Sequence, residues 1–313
     1  MSTSTFDETK HPRGDGGRFA TKPAAESDPT LDTSPHGLRS LGLSPGETMT
    51  LDDYDTGSRV FEKVEITASQ AGDYIVEGHV HLDLEHGLEP SGDTADERTA
   101  WLDERRHVIE ASVHDRYGAR LEDTADGSQS LVFSSRLPAT AGTDELLPEL
   151  ENCTRALSAD HDLQTGSDYA GSQLFANLRH DLDDHTQATN ETTGSYELAL
   201  EYMETDGDAG TVRMTPASRD LARREVSRFL VDNRRLLEAC RTSYPEYDEK
   251  AVGRDLAYTR AGIGRAFDNG GLGGYGTKLQ RAADELPMVR TWVDKDNDLH
   301  VEHDDWTPGP EAS

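Results

Sequence analysis

The sequence predicts an α+β protein, with an acidic antiparallel-sheet domain followed by a helical domain that closes on a β-hairpin. Three observations predict it. Apolar and polar residues alternate with a period of two across much of 46–137. Apolar residues recur at i+3 and i+4 after Thr215. The charge changes where the pattern changes: residues 1–215 hold 43 acids and 16 bases, whereas residues 216–290 hold 11 and 14. The expected division is a disordered segment over 1–45, the acidic α+β domain over 46–215, the helical module over 216–303 and a disordered tail over 304–313.

The elements follow in order. Residues 1–45 are rich in Pro, Gly, Ser, Thr and Asp and show no periodicity, which predicts disorder. Val60, Val64 and Ile66 share one face of a strand over 59–67. Tyr74, Val76, Gly78, Val80, Leu82 and Leu84 share one face of the next, with Gln70 to Asp73 turning between them. Residues 94–105 predict a short helix with Trp101 and Leu102 inward. Ile109, Ala111 and Val113 alternate, as do Leu131 and Phe133, which predicts a second strand pair around the turn-rich stretch Glu122 to Ser128. Helices are predicted over 144–156, capped by Thr143, and over 169–182. A polar loop over 183–194 then leads to a hairpin, in which Tyr196, Leu198, Leu200 and Tyr202 pair with Val212 and Met214 around Asp206 to Asp208. Thr215-Pro216 starts a helix reaching Cys240, because Thr caps and Pro suits the first helical position. Further helices are predicted over 246–258 and 277–286. A last hairpin joins 289–293 to 299–301.

Composition narrows the function. The net charge of −30 opposes direct binding of the acidic domain to nucleic-acid backbones or anionic membranes. It leaves two readings, imitation of DNA and a composition shared across an acidic proteome. Only 6 of the 31 bases are lysine, which suits a GC-rich genome. No apolar run approaches the roughly 20 residues of a membrane span, and MSTSTFDETK lacks the apolar core of a secretory signal. A cytoplasmic protein is expected. Cys153 and Cys240 lack CxxC spacing and read as free thiols, with a disulfide left open. Arg219, Arg223, Arg224, Arg228, Arg234 and Arg235 line one helix; they suit an acidic partner, or the acids of the N-terminal half itself.

Candidate chemistry lies in two places. Gly253–Gly276 holds 8 of the 28 glycines. Gly271, Gly273 and Gly276 fit G-x-G-x-x-G, yet Arg265 to Gly270 is no strand, so the dinucleotide fingerprint lacks its context. Backbone amides from Gly274 to Thr277, with Lys278, can hold an anion at a helix N-terminus. His79-x-His81 on one strand face is the metal candidate, for a metal-dependent hydrolase of the GHVHLD type. No G-x-S-x-G occurs and no cofactor is predicted.

Two stretches carry a resemblance. His11 to Phe19, HPRGDGGRF, is similar to the HPR-x-x-x-GRF segment of proteins from actinobacterial phages and plasmids. GRDLAYTRAGIGRAF, from Gly253 to Phe267, resembles the G-H-D-F-W-L-T-R-N-G-H-G-x-G-F module of such mobile-element proteins. The likeness extends over about residues 220–303 and rests on Gly253, Asp255, Thr259, Arg260, Gly262, Gly264 and Phe267, then Leu279, Ala282 and Ala283. Ala261 and Ile263 replace the module's Asn and His, and Leu256-Ala257 its two aromatics. The candidate binding residues are therefore Asp255, Thr259, Arg260, Gly262, Gly264, Phe267, Gly274, Gly276 and Lys278. The expected function is a non-enzymatic accessory protein of a phage, plasmid or integrated element that binds a macromolecular partner, a protein by preference. The alternatives are an acidic DNA mimic acting against host restriction and a hydrolase using His79 and His81.

Overall fold

A computed structural model describes residues 38–303 except 53–56, 58–59, 125–127, 162–171, 206 and 208–210. The disorder expected over 1–37 and 304–313 lies outside the described residues. The expected disorder does not extend to residue 45. Leu38–Leu41 forms a 3-10 turn, Leu38 is fully buried, and its N–H donates to Ala141 O at 2.8 Å.

Five antiparallel strands form the first sheet: β1 (Thr48–Asp52), β2 (Lys63–Ala68), β3 (Asp73–Leu82), β4 (Arg120–Asp123) and β5 (Gln129–Pro138). Their spatial order is β1-β2-β3-β5-β4. Val64 pairs with Gly78 and Ile66 with Val76; across β3, Gly78 pairs with Phe133 and Val80 with Leu131. That register puts Val64, Ile66, Val76, Val80, Leu131 and Phe133 on one buried face. Four helices of this half follow the chain: α1 (Leu84–Leu88), α2 (Ala95–Tyr117), α3 (Leu146–Cys153) and α4 (Arg155–Asp160). Val108, Ile109, Val113, Leu146, Leu150 and Leu157 from these helices join the sheet in one hydrophobic cluster.

The second half holds α5 (Gln173–Glu204), β6 (Arg213–Met214), α6 (Pro216–Asp232), α7 (Arg234–Ser243), α8 (Glu249–Arg260), α9 (Ala266–Asn269), α10 (Gly274–Asp284), β7 (Val289–Val293) and β8 (Asp298–His303). The helix start at Thr215 is as expected: Thr215 Oγ1 accepts from Ser218 N at 3.2 Å, with Pro216 in the first turn. The closing hairpin forms, with Thr291 opposite Val301, and β6 joins β8 in parallel. A second hydrophobic cluster runs from Tyr196 to Val301. The 32-residue α5 belongs to both clusters, giving Leu174, Phe175, Leu178 and Leu182 to the first and Tyr196, Ala199 and Leu200 to the second.

Several local expectations are corrected. Ile109, Ala111 and Val113 lie in α2, not in a strand. Thr94 and Glu97 form a reciprocal capping box, and nothing stops the helix until Gly118 at φ 67°. Ile109 and Val113 also satisfy i, i+4, so two periods compete and the cap decides. β4 takes the place of the missing strand. The polar stretch 183–194 and the alternating run Tyr196–Tyr202 are both parts of α5. Tyr196 and Leu200, four apart, are buried, while Leu198 and Tyr202 are 55% and 53% exposed, which is a helical pattern rather than a sheet face. Val212 precedes β6, whose partner is β8 rather than 196–202; Asp206 and Asp208 lie outside the described residues. Leu84 starts α1, capped by Asp83. The helix expected to reach Cys240 breaks at Asn233, whose side chain donates to Phe229 O at 2.9 Å. The helix expected over 144–156 divides at Thr154. Both cysteines are free.

α5 and α8 cross at glycine distance. A Cβ at Gly253 would lie 2.2 Å from Thr192 O and 3.0 Å from Tyr196 N, both backbone atoms that cannot step aside. Ser195 Oγ donates to Lys250 O at 2.7 Å beside this point. Gly253→Ala is expected to lower unfolding stability by about 2–3 kcal/mol through overpacking, despite alanine's better helix propensity. Gly194→Ala, in α5 with nothing within 4 Å of the added carbon, is expected to raise it by up to ~1 kcal/mol. Urea unfolding of the two variants checks both signs.

Candidate functional site

A cleft of about 510 Å3 opens where α2, α5 and α6 meet, at the junction of the two hydrophobic clusters. Ligand sites favour such junctions, because two packed bodies leave a concave seam between them. α2 brings Asp103, Glu104, Arg105, His107 and Val108. α5 brings His185, Thr186 and Thr189, and α6 brings Arg223, Arg224, Ser227, Arg228 and Asp232.

Ser227 holds the polar centre. Its Oγ lies 3.0 Å from His107 Nε2 and 2.8 Å from His185 Nε2, and Thr189 Oγ1 lies 3.2 Å from the same His185 nitrogen. The two imidazoles meet edge to face, 6.0 Å between centroids. Burial holds both below the usual histidine pKa. His185 falls to about 4, with His107 and Arg234 adding to the effect of burial. Both rings are therefore neutral near pH 7. Two proton arrangements satisfy all three contacts: His107 N–H donates to Ser227 while the Ser227 and Thr189 hydroxyls donate to His185 Nε2, or His185 N–H is shared by Ser227 and Thr189 while Ser227 donates to His107 Nε2. The chain Thr189–His185–Ser227–His107 thus ties three helices from both halves.

The charges around this centre are largely matched. Arg223 pairs with Glu104 across the seam, Arg228 Nε lies 3.5 Å from Asp232, and Arg105 stacks over Trp101 at 4.5 Å. Arg234 and Arg235 both meet Asp115, and Arg219 meets Glu197 at 2.8 Å. The arginines of α6 and α7 therefore find their counter-charge largely within the chain. Arg224 stands exposed on the cleft wall, one turn before Ser227. Ser227 lies within α6, where backbone N–H groups are committed to the helix. A serine so placed lacks the adjacent backbone donors that stabilise an oxyanion in acyl transfer, so the centre suits hydrogen-bonded recognition better than nucleophilic attack.

The residues of the glycine block separate into two groups. Asp255 is buried on α8 and accepts from Tyr247 Oη at 3.1 Å and Arg254 Nε at 3.0 Å; burial pushes its pKa up. Arg260 is the largest fully buried side chain among the described residues. It grips Glu225 with both terminal nitrogens and donates to Pro287 O at 2.7 and 3.2 Å. Thr259 meets Gln280 at 3.5 Å, and Phe267 packs on Phe229 at 5.8 Å between centroids. Gly276 is buried where a Cβ would lie 2.4 Å from Phe267 O. Thr259, Phe267 and Gly276 thus brace α8, α9 and α10, Arg260 ties α8 to α6 and to the segment after α10, and Asp255 anchors Tyr247 ahead of α8. Gly262, Gly264, Gly274 and Lys278 lie at the surface. The helix α9 precedes the G-x-G-x-x-G run, in place of the strand that the dinucleotide fingerprint needs.

His79 and His81 share one face of β3 but not one environment. His79 is buried, its Nε2 3.5 Å from Glu65 Oε2, whereas His81 is exposed beside a different cleft of about 390 Å3. Among the described residues, the group that gathers His79 with other ligating atoms is Glu65, Glu77 and His79, without His81. Burial, helped by the Lys63 charge, holds the His79 pKa low.

Sequence reasoning missed His107, His185 and Ser227. They stand on three distant segments, and the strand expected over 109–113 and the loop expected over 183–194 leave neither histidine-bearing helix complete. A helical reading of 173–204 was the one signal available, because it puts His185 and Thr189 on one face four residues apart.

The histidine centre predicts a pH dependence with a definite sign. Each folded-state pKa lies below the unfolded value near 6.5, so the unfolded chain binds more protons between the two values. The contribution of these two histidines to stability is flat above about pH 6.5 and is lost as the pH drops from there towards 4. His185→Gln is expected to remove on the order of 2 kcal/mol of that fall. Urea unfolding of wild type and variant at about pH 7 and pH 5 measures the difference.

No family model, no curated protein and no solved structure matches this chain.

Proposed function

We propose that the chain is a non-enzymatic accessory protein of a phage, plasmid or integrated element, and that it binds a protein partner through the cleft between α2, α5 and α6. The observation that carries this reading is the cleft itself: a seam of about 510 Å3 between two separately packed halves, with hydrogen-bonding groups converging on Ser227 and an exposed Arg224 on its wall. A segment bearing a carboxylate fits these groups. Arg224 supplies a bidentate donor, Val108 an apolar wall, and the neutral histidines add no charge that a buried carboxylate would have to share. The net charge of −30 disfavours a nucleic-acid phosphate in the same place. The resemblance of Gly253–Phe267 to a mobile-element module supports the assignment of source.

The double variant Arg224→Glu/Arg228→Glu tests the site. It is expected to weaken capture of the host partner at least about tenfold, with the unfolding transition little changed, since both side chains are exposed. Lys278→Glu, on the exposed start of α10, is expected to leave capture unchanged. Quantitative co-purification from host extract, with and without competing duplex DNA, supplies the measurement. Equal capture by wild type and double variant would rule out the cleft. Displacement of the partner by DNA would favour mimicry instead.

A further inference from the structure

The outer face of the first sheet, opposite its hydrophobic core, holds a group that the cleft does not use. The ladder between β2 and β3 places Glu65 opposite Glu77 and Lys63 opposite His79. Period-two alternation turns all four to the outer face. There the ligating atoms of Glu65, Glu77 and His79 lie within 4.8 Å of one another.

His79 is the feature that a solvated charge cluster does not explain. Its side chain is only 4% exposed, and its Nε2 has no hydrogen-bond partner. Glu65 Oε2, at 3.5 Å, is too far for a full bond. An orphaned buried polar atom is unfavourable, because it has lost water without gaining a partner, and a bound ion is one way to complete it. This one points into a pair of carboxylates.

The carboxylates are held from outside. Lys63 Nζ donates to Glu65 Oε1 at 2.9 Å, and Arg120 Nη1 donates to Glu77 Oε1 at 2.9 Å. In each pair the base engages one oxygen. Such outer bonds are how ligating carboxylates are commonly oriented. The scaffold is rigid, because β3 is paired along its length by β5 and from Tyr74 to His79 by β2.

We infer that Glu65, Glu77 and His79 form a binding site for one divalent transition-metal ion, with zinc the best match to one imidazole and two carboxylates. A tetrahedral set brings ligand atoms to roughly 3.3 Å from one another. Glutamate side-chain torsions supply that contraction while the strands stay fixed. Three protein ligands leave a coordination position for water or for an outside donor. His81 is not a ligand, so the site differs from the His-x-His pair read in the sequence, and it is independent of the cleft between the two halves.

The test uses the full chain, freed of metal by a chelator. Calorimetric titration with Zn2+ is expected to show one equivalent bound, with a chelator-reversible rise in Tm. Co2+ as a second probe is expected to give visible absorption bands of a low-coordinate nitrogen–oxygen site. Glu77→Gln, partly exposed and therefore expected to fold, weakens Zn2+ binding at least about tenfold and loses the Co2+ bands. Glu65→Gln does the same, so the test stands even where His79→Gln fails to fold. His81→Ala retains stoichiometry, affinity and spectrum. No bound equivalent in the wild type, binding by Glu77→Gln equal to wild type, or loss of binding in His81→Ala would each overturn the assignment.

Discussion

The crossing of α5 and α8 is the constraint on which the rest of the molecule depends. α5 is a single helix of 32 residues, about 48 Å long. Its first turns are embedded in the sheet core and its last turns in the helical core. Gly253 lets α8 lie against the backbone of Thr192 and Tyr196, and this contact fixes where the second core forms along the helix. The position of α6 follows, since it packs on α5 beside α2. The cleft with Ser227 at its centre is therefore a consequence of how two cores share one rod.

Charge is organised around the same seam. An acidic half and an arginine-rich half would be unremarkable as separate bodies. Here Arg223 reaches Glu104, and Arg234 and Arg235 reach Asp115, so the asymmetry in sequence becomes complementarity across the junction. Exposed pairs of this kind are individually weak, and they serve orientation more than stability. Arg260 is different. Its buried guanidinium is matched by Glu225 and Pro287 O, and removing any one partner would leave an uncompensated group inside the core. Arg260, which stood out in the glycine block by its motif, thus has a sufficient structural reason to be an arginine.

Much of the architecture was legible because local chemistry left no competitor. Thr215-Pro216 can start a helix and little else. Lys295 to Asn297 turns between two short apolar runs, with Asn297 at φ 62°. The β2–β3 alternation has no rival helical spacing. Legibility failed where two periods fitted the same residues. Ile109 and Val113 satisfy both i+2 and i+4 patterns, and the capping box fifteen residues earlier decides between them. Residues 183–194 look like a loop because threonine replaces leucine on the buried face. Thr189, Thr192 and Thr193 are all buried; Thr189 bonds His185 in the cleft, and Thr192 lies where α8 crosses at Gly253.

The sequence by itself determined the class of the fold, the acidic character of its first half and the helix starts and turns that rest on capping and turn residues. These are local, set by propensities within a few residues. Only the tertiary structure decided which groups meet. His107, His185 and Ser227 lie up to 120 residues apart and converge through helix packing. Glu65 joins Glu77 and His79 through strand register, which a shift of one residue would undo. Proximity of this kind is a property of packing and pairing over the whole chain, and no local pattern encodes it.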